Sequence, residues 1–285
     1  MKKASKKLVQ KYAPRVIGFR LNSIFLIQPE KAIRKAYRLF SSPRKGKVKP
    51  EQETFLNKAK TTSIEHNSKK IQTYHWKGDG KTVVLIHGWD SNSFRWKELI
   101  EDLQKEDFNI IAFDAPAHGY SDGQLLNVPL YSKCLDRILK LYRPDFLVGH
   151  SVGAMTVIYN QYLKHSTFLE KIVLLGAPSE MSRIMKDYKQ ILRLSDKFMN
   201  ALEEFFKEKF GYNFNEFSIA EFSKTIQHKA LIVHDQYDKI APAEEAKAIH
   251  KHLKNSTLKL TEGAGHSLNK SEIRNDIIEF LNAQT

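Results

Sequence analysis

A chain of 285 residues, 41% hydrophobic and 27% charged, holds enough apolar material for a sizeable core, which excludes a wholly disordered or fibrous protein. Its single cysteine, Cys134, excludes an internal disulfide and makes a cytoplasmic location the default expectation. The formal net charge of +14 sits at one end: residues 1–50 carry 15 Lys/Arg against one acid, Glu30, and the remaining 235 residues hold 31 of each sign. The basic excess therefore describes an arm able to meet an anionic surface, not a basic active site.

Lys2, Lys3, Lys6 and Lys7 could open a secretory leader, but Tyr12, Pro14, Arg15 and Arg20 interrupt any apolar core. The apolar run Ile24–Ile27 is far short of the ~20 residues of a membrane span. From Pro29, PEKAIRKAYRLF predicts a helix with proline in its first turn. Ile33, Ala36, Tyr37 and Phe40 fall on one side, and Lys31, Arg34, Lys35 and Arg38 on the other. Such a helix either docks its stripe on the protein or lies on an anionic membrane, and both outcomes stay open at this point. No nucleic-acid motif is present, and no specific nucleic-acid binding is expected. SSPRKGKVKP reads as a loop, and a short helix, Gln52 to Ala59, leads onward. Residues 1–60 thus form a basic, amphipathic helical arm, and 61–285 the body.

In the body the pattern alternates. Ile71–Trp76 and Thr82–His87 read as strands joined by the turn Lys-Gly-Asp-Gly, and Ser93–Lys105 as a helix capped by Asn92 or Ser93. Asn109–Phe113 (strand), Tyr131–Leu141 (helix), Phe146–Gly149 (strand) and Val152 to about Leu163 (helix) follow. Lys171–Leu175, Ala230–His234 and Thr257–Leu260 are further strands, and Glu272–Asn282 is a closing helix. Short β-branched runs separated by helices imply an α/β fold, a mostly parallel sheet with helices on both faces. Roughly 45 residues between Pro178 and Phe222 break the alternation with helical pattern only, SRIMKDYKQILRL and DKFMNALEEFFKEKFGYNF. An insertion leaving the C-terminal end of a parallel strand, at about 178–222, is a candidate lid.

Two segments fit G-x-S-x-G: Gly149-His-Ser151-Val-Gly153 and Gly119-Tyr-Ser121-Asp-Gly123. A serine hydroxyl becomes a nucleophile when a base takes its proton and a sharp strand-to-helix turn exposes it, with tiny neighbours two positions away. Ser151 has the strand FLVG before it, the helix-forming AMTVIYNQYL after it, and Gly149 and Gly153 at the crowded positions. Ser121 has only the spacing: DAPAHGY precedes it and the loop-like DGQLLNVP follows.

Over roughly residues 62–285 these motifs resemble the α/β-hydrolase fold superfamily. HGWD, His87 to Asp90, looks like its oxyanion loop, and the resemblance implies an oxyanion hole from the backbone N–H groups of Val152 and Trp89. DAPAHGYSDG is similar to the superfamily's Asp-x-x-Gly-His-Gly-x-Ser turn, with Ala117 at the first glycine, and the resemblance makes that turn structural. His266 in GAGHS, after the last strand, matches the superfamily's base. IVHDQYDKIAP offers two acids, and Asp238, followed by Pro242, fits Gly-x-x-Asp-x-x-x-Pro, with Asp235 at the glycine position. His150, His87 and Gly88 are read as shaping the site.

No His/Cys spacing points to zinc, no metal is expected, and no phosphate loop or dinucleotide fingerprint points to a cofactor. A serine at the elbow disfavours the epoxide hydrolase and haloalkane dehalogenase branches, whose nucleophile is a carboxylate. HGWD lacks the HGGG-type loop of some esterases and lipases. The expectation is a serine hydrolase acting on a small-molecule carboxylic ester, acyl-chain or lipid-like given the apolar insert, through a Ser151–His266–Asp238 triad. Amidase, peptidase, thioesterase or acyltransferase chemistry on the same triad is the alternative, as is a non-catalytic binding module whose basic arm, residues 1–50, binds an anionic membrane or nucleic acid.

Overall fold

In the computed structural model, which describes residues 2–284 with side-chain surroundings from residue 12 onward, the seven expected strands join an eighth in one sheet. The strands are β1 (Lys60–His66), β2 (Lys69–Trp76), β3 (Thr82–Ile86), β4 (Asn109–Phe113), β5 (Phe146–His150), β6 (Lys171–Leu175), β7 (Lys229–Asp235) and β8 (Ser256–Thr261). The helices are α1 (Lys2–Ile27), α2 (Pro29–Ser41), α3 (Pro50–Leu56), α4 (Lys97–Lys105), α5 (Val128–Tyr142), α6 (Val152–Lys164), α7 (Met181–Leu192), α8 (Asp196–Phe210), α9 (Ile219–Ser223), α10 (Ala243–His252) and α11 (Ser271–Asn282). The chain divides into two compact units, Pro43–Ser179 with Ile219–Thr285, and Met1–Ser42 with Glu180–Ser218.

The larger unit holds the sheet, in the order β1-β2-β4-β3-β5-β6-β7-β8. β1 and β2 pair antiparallel, as do β2 and β4, and all other neighbours are parallel. The Lys-Gly-Asp-Gly turn joins β2 to β3, yet the two are not neighbours, because β4 lies between them. The interior strands are buried on both faces and so read as near-continuous apolar runs such as TVVLI and KIVLL. β1 is an exposed, polar edge strand, which explains why no strand is legible there. Its link to β2 is the pair Asn67-Ser68, both at positive φ (49° and 56°), a turn whose twist suits a two-residue hairpin.

On one sheet face Val83, Leu85, Phe146 and Val148 share an apolar cluster with Leu99 and Leu103 of α4 and Ile273 and Ile277 of α11. α5 and α6 pack together, burying Leu135, Ile138, Val157 and Ile158. Lys171 is buried at the start of β6, where its ammonium donates to the carbonyls of Phe280 and Leu281 (2.8 and 3.1 Å) and satisfies the end of α11. The predicted helix at Ser93 begins as a 3-10 turn over Ser93–Trp96, with the Asn92 side chain accepting from the Phe94 N–H at 2.9 Å.

The smaller unit combines the N-terminal arm with the insertion, two stretches that are far apart in sequence. α1 packs on α2 and α7, and α2 on α8. Gly18 lies so close to α7 that a Cβ there would sit 1.5 Å from the Leu192 carbonyl oxygen. The Asn22 side chain donates to the Arg193 carbonyl (3.0 Å) and accepts from the Ser195 N–H (3.1 Å), holding the link between α7 and α8. Phe25 packs against Phe198 and Tyr37 against Phe205 in tilted pairs, with centroids 4.9 and 5.3 Å apart. The stripe of α2 is therefore docked: Ile33, Ala36 and Tyr37 are buried. The side chains of Lys2, Lys3, Lys6 and Lys7, part of the basic arm, lie outside the described set. Among the described residues no helix is long and apolar enough to cross a membrane.

Candidate functional site

β5 ends at His150 and α6 begins at Val152, so Ser151 occupies the whole turn between them. Its backbone has φ 54° and ψ −122°, a conformation that costs a residue with a side chain on the order of 1–3 kcal/mol. Crowding explains the flanking glycines. A Cβ on Gly149 would lie 2.7 Å from Ala154 Cα, and one on Gly153 would lie 2.2 Å from the Ile86 carbonyl oxygen.

The Ser151 hydroxyl meets His266 Nε2 at 3.0 Å, and His266 Nδ1 meets Asp238 Oδ2 at 2.6 Å. Because the carboxylate only accepts, Nδ1 carries the proton and Nε2 presents its lone pair to the hydroxyl. The Asp238 side chain is wholly buried, and its other oxygen accepts from the N–H groups of Ile240 (2.7 Å) and Ala241 (3.2 Å). Asp235, the other acid in the segment, is engaged elsewhere. It accepts from the N–H groups of Tyr237 (3.0 Å) and Ala264 (2.7 Å) and so ties the turn after β7 to the loop that carries His266.

The HGWD loop runs beside the serine: a Cβ on Gly88 would be 3.0 Å from Ser151 Cβ. Two neutral histidines hold this loop. His87 is fully buried, donates from Nδ1 to the Gly88 carbonyl (2.8 Å) and accepts at Nε2 from the Ala115 N–H (2.9 Å). Burial pushes its pKa far below the ordinary histidine value. His118 donates to the Pro116 carbonyl (3.0 Å) and accepts from the Asp90 N–H (3.1 Å), and burial lowers its pKa too. Trp89 follows Gly88 in the loop, its ring edge-on to His118, and Val152 opens α6.

His150, the elbow neighbour, donates from Nε2 to the His266 carbonyl at 2.8 Å, and burial holds it neutral, well below its ordinary pKa. Arg95 was not singled out in the sequence, where an arginine in a helical turn reads as solvated. Its Nη2 donates to the Ser267 carbonyl at 2.8 Å, so His150 and Arg95 pin successive carbonyls of the loop that presents His266. Among the described residues no cluster of His, Cys, Asp and Glu could hold a metal ion.

A family model described as serine aminopeptidase, S33, matches residues 79–210, a stretch that includes Ser151 but ends before Asp238 and His266. Pimeloyl-(acyl-carrier protein) methyl ester esterase of Vibrio vulnificus (strain YJ016) is 28% identical over 106 residues, which is 35% of this chain and 38% of that protein. The chain thus spans well under half the length of that curated relative. Among solved structures, a bromoperoxidase from Bacillus anthracis matches with a TM-score of 0.63 and 22% identity, over 79% of this chain and all of that one. The esterase EaEST from Exiguobacterium antarcticum matches with a TM-score of 0.62 and 18% identity, again over 79% of this chain and all of that one. The chain has the α/β-hydrolase fold.

Within this α/β-hydrolase fold the second serine match has a structural occupation. Ser121 is buried, accepts from the Gln72 N–H (2.9 Å) and donates to the Asp114 carbonyl (2.7 Å). Asp114, at the end of β4, organises the turn by accepting from the N–H and hydroxyl of Ser93, the Tyr74 hydroxyl and the Tyr120 N–H. Gly119 is required there, since a Cβ would sit 1.9 Å from Asp114 Oδ2. Ala117, at the position the superfamily pattern gives to glycine, stands at φ 68°. It keeps the left-handed conformation without the residue that adopts it freely.

Proposed function

We propose that this chain is a serine hydrolase that cleaves a carboxylic ester through an acyl-enzyme. The observation that carries the reading is the unbroken hydrogen-bonded line from Ser151 Oγ through His266 to Asp238 Oδ2, at 3.0 and 2.6 Å. Ser151 Oγ attacks the ester carbonyl carbon while its proton moves to His266 Nε2. The carbonyl oxygen becomes an oxyanion that accepts from the backbone N–H groups of Val152 and Trp89, donors fixed in advance and needing no reorganisation. Collapse breaks the bond to the alcohol oxygen, which takes the proton from His266. A water then gives its proton to Nε2, its oxygen attacks the acyl carbon, and the carboxylic acid leaves as Ser151 regains its proton. Asp238 orients the imidazole and stabilises the imidazolium.

The relative from Vibrio vulnificus is named for a methyl ester, which supports ester over amide substrates. The apolar content of the insertion, the basis for expecting an acyl chain, is partly spent inside the smaller unit, where Phe198 and Phe205 pack on Phe25 and Tyr37. The S33 model favours peptide amides as the second reading.

A fluorophosphonate probe followed by peptide mapping tests the mechanism on wild type, Ser151→Ala and Ser121→Ala. Label on the Ser151 peptide, absent only in Ser151→Ala, supports an activated nucleophile. No label on folded wild type sinks the proposal and leaves a binding module. Turnover of p-nitrophenyl esters against aminoacyl p-nitroanilides then separates esterase from aminopeptidase.

A further inference from the structure

We propose that the outer face of α1 docks on the surface of an anionic lipid bilayer. α1 is apolar on two sides. Its inner side, with Gly18, Leu21 and Phe25, is used up against α7 and α8. On the outer side Val16, Phe19, Leu26 and Ile27 are 50%, 73%, 85% and 80% exposed. At 100° per residue these positions fall within about one third of the helix circumference, a single stripe some two to three turns long. Isolated exposed leucines are ordinary on protein surfaces, whereas four large apolar side chains aligned on one helix face, with only the exposed Ser23 among them, are not.

The charge around the stripe selects the occupant. Arg15 and Arg20 border it and are exposed. On α2 the side chains of Lys31, Arg34 and Lys35 are also exposed, opposite the docked Ile33 and Tyr37. Residues 1–42 contain eleven Lys/Arg and one acid, whereas residues 180–218 of the same unit contain seven of each sign. All the excess charge of the smaller unit therefore lies on the two arm helices. Apolar side chains flanked by cations suit acyl chains beneath anionic headgroups, where each cation close to the surface adds to the attraction. A second copy of the chain is a poor occupant, since the same cations would oppose one another. No described helix is suited to cross the bilayer, so α1 lies in the interface plane.

The test uses the full chain, co-sedimented with phosphatidylcholine vesicles and with phosphatidylcholine–phosphatidylglycerol vesicles. The expected result is binding to the second kind only, weakened by salt. The double variant Phe19→Asp/Leu26→Asp, with both sites solvent-facing, should bind at least tenfold less at unchanged thermal stability. Arg34→Gln/Lys35→Gln should lose part of the binding. Ser151→Ala should bind like wild type, so the outcome is independent of the proposed chemistry. Absence of binding to anionic vesicles overturns the proposal. So does equal binding by the Phe19→Asp/Leu26→Asp variant, which would reduce the effect to charge alone. Lipid-free dimerisation abolished by that variant would assign the stripe to a second copy and overturn it as well.

Discussion

Two histidines beside Ser151, His87 and His150, are buried and neutral, and this makes the stability of the larger unit sensitive to mild acid. Burial depresses the pKa of both far below the ordinary value of 6.5. Above that value neither the folded nor the unfolded state carries the proton. Below it the unfolded chain takes up protons that the folded chain refuses, so stability present at neutral pH is lost as the pH falls. Moving from about pH 7.5 to about pH 5.5 costs roughly 1.4 kcal/mol per histidine, or about 2.8 kcal/mol for the pair. His118, lowered by the same burial, adds in the same direction. Carboxylates contribute almost nothing in this window. Asp102, held low by hydrogen bonds from Arg274 and Lys105, gives up its stabilisation only near and below its ordinary value of 3.8. The assay is urea unfolding followed by tryptophan fluorescence, which reports the larger unit because Trp76, Trp89 and Trp96 all belong to it. His150→Gln should shrink the pH difference by about 1.4 kcal/mol. An unfolding free energy that is the same at both pH values, or an unaltered difference in His150→Gln, would refute the argument.

Four further outcomes follow from the geometry. Gly153→Ala should lose about 3 kcal/mol and the fluorophosphonate label, because its Cβ would meet the Ile86 carbonyl and no flexible side chain can yield; unchanged melting would count against the crowding argument. Asp238→Asn should lower ester kcat by roughly 10³–10⁴ with little change in KM, since the amide no longer selects the productive tautomer of His266; Asp235→Asn should not share that signature. Ser121→Ala should keep the label but lose about 1–3 kcal/mol by orphaning the Gln72 N–H, as read by urea titration. Ala117→Gly should raise stability by about 1 kcal/mol by relieving a left-handed alanine, and a lower Tm would contradict this.

What could be read along the chain was whatever depends on neighbours in sequence. β4 and β6 coincide with the expected runs Asn109–Phe113 and Lys171–Leu175, because strands buried on both faces must be apolar without interruption. The strand–serine–helix turn at Ser151 was legible because two glycines and the flanking patterns are local signs of a crowded backbone. β1 escaped notice because an exposed edge strand needs no apolar face, and α10 because its alternating charged and small residues carry a weak stripe.

The rest needed partners distant in sequence. Asp235 and Asp238 are three residues apart and chemically alike; only the loop after β8 folding back brings His266 to one and the Ala264 amide to the other. Arg95 gains its place only when Ser267 arrives, 172 residues later. The arm and the insertion are two separate apolar stretches in sequence, and they become one unit because Gly18, Asn22, Phe25 and Tyr37 find complementary surfaces on α7, α8 and their link. Periodicity states that a face must be buried. Which surface buries it depends on shape and hydrogen-bond complementarity between elements, and that exists only once the chain has folded.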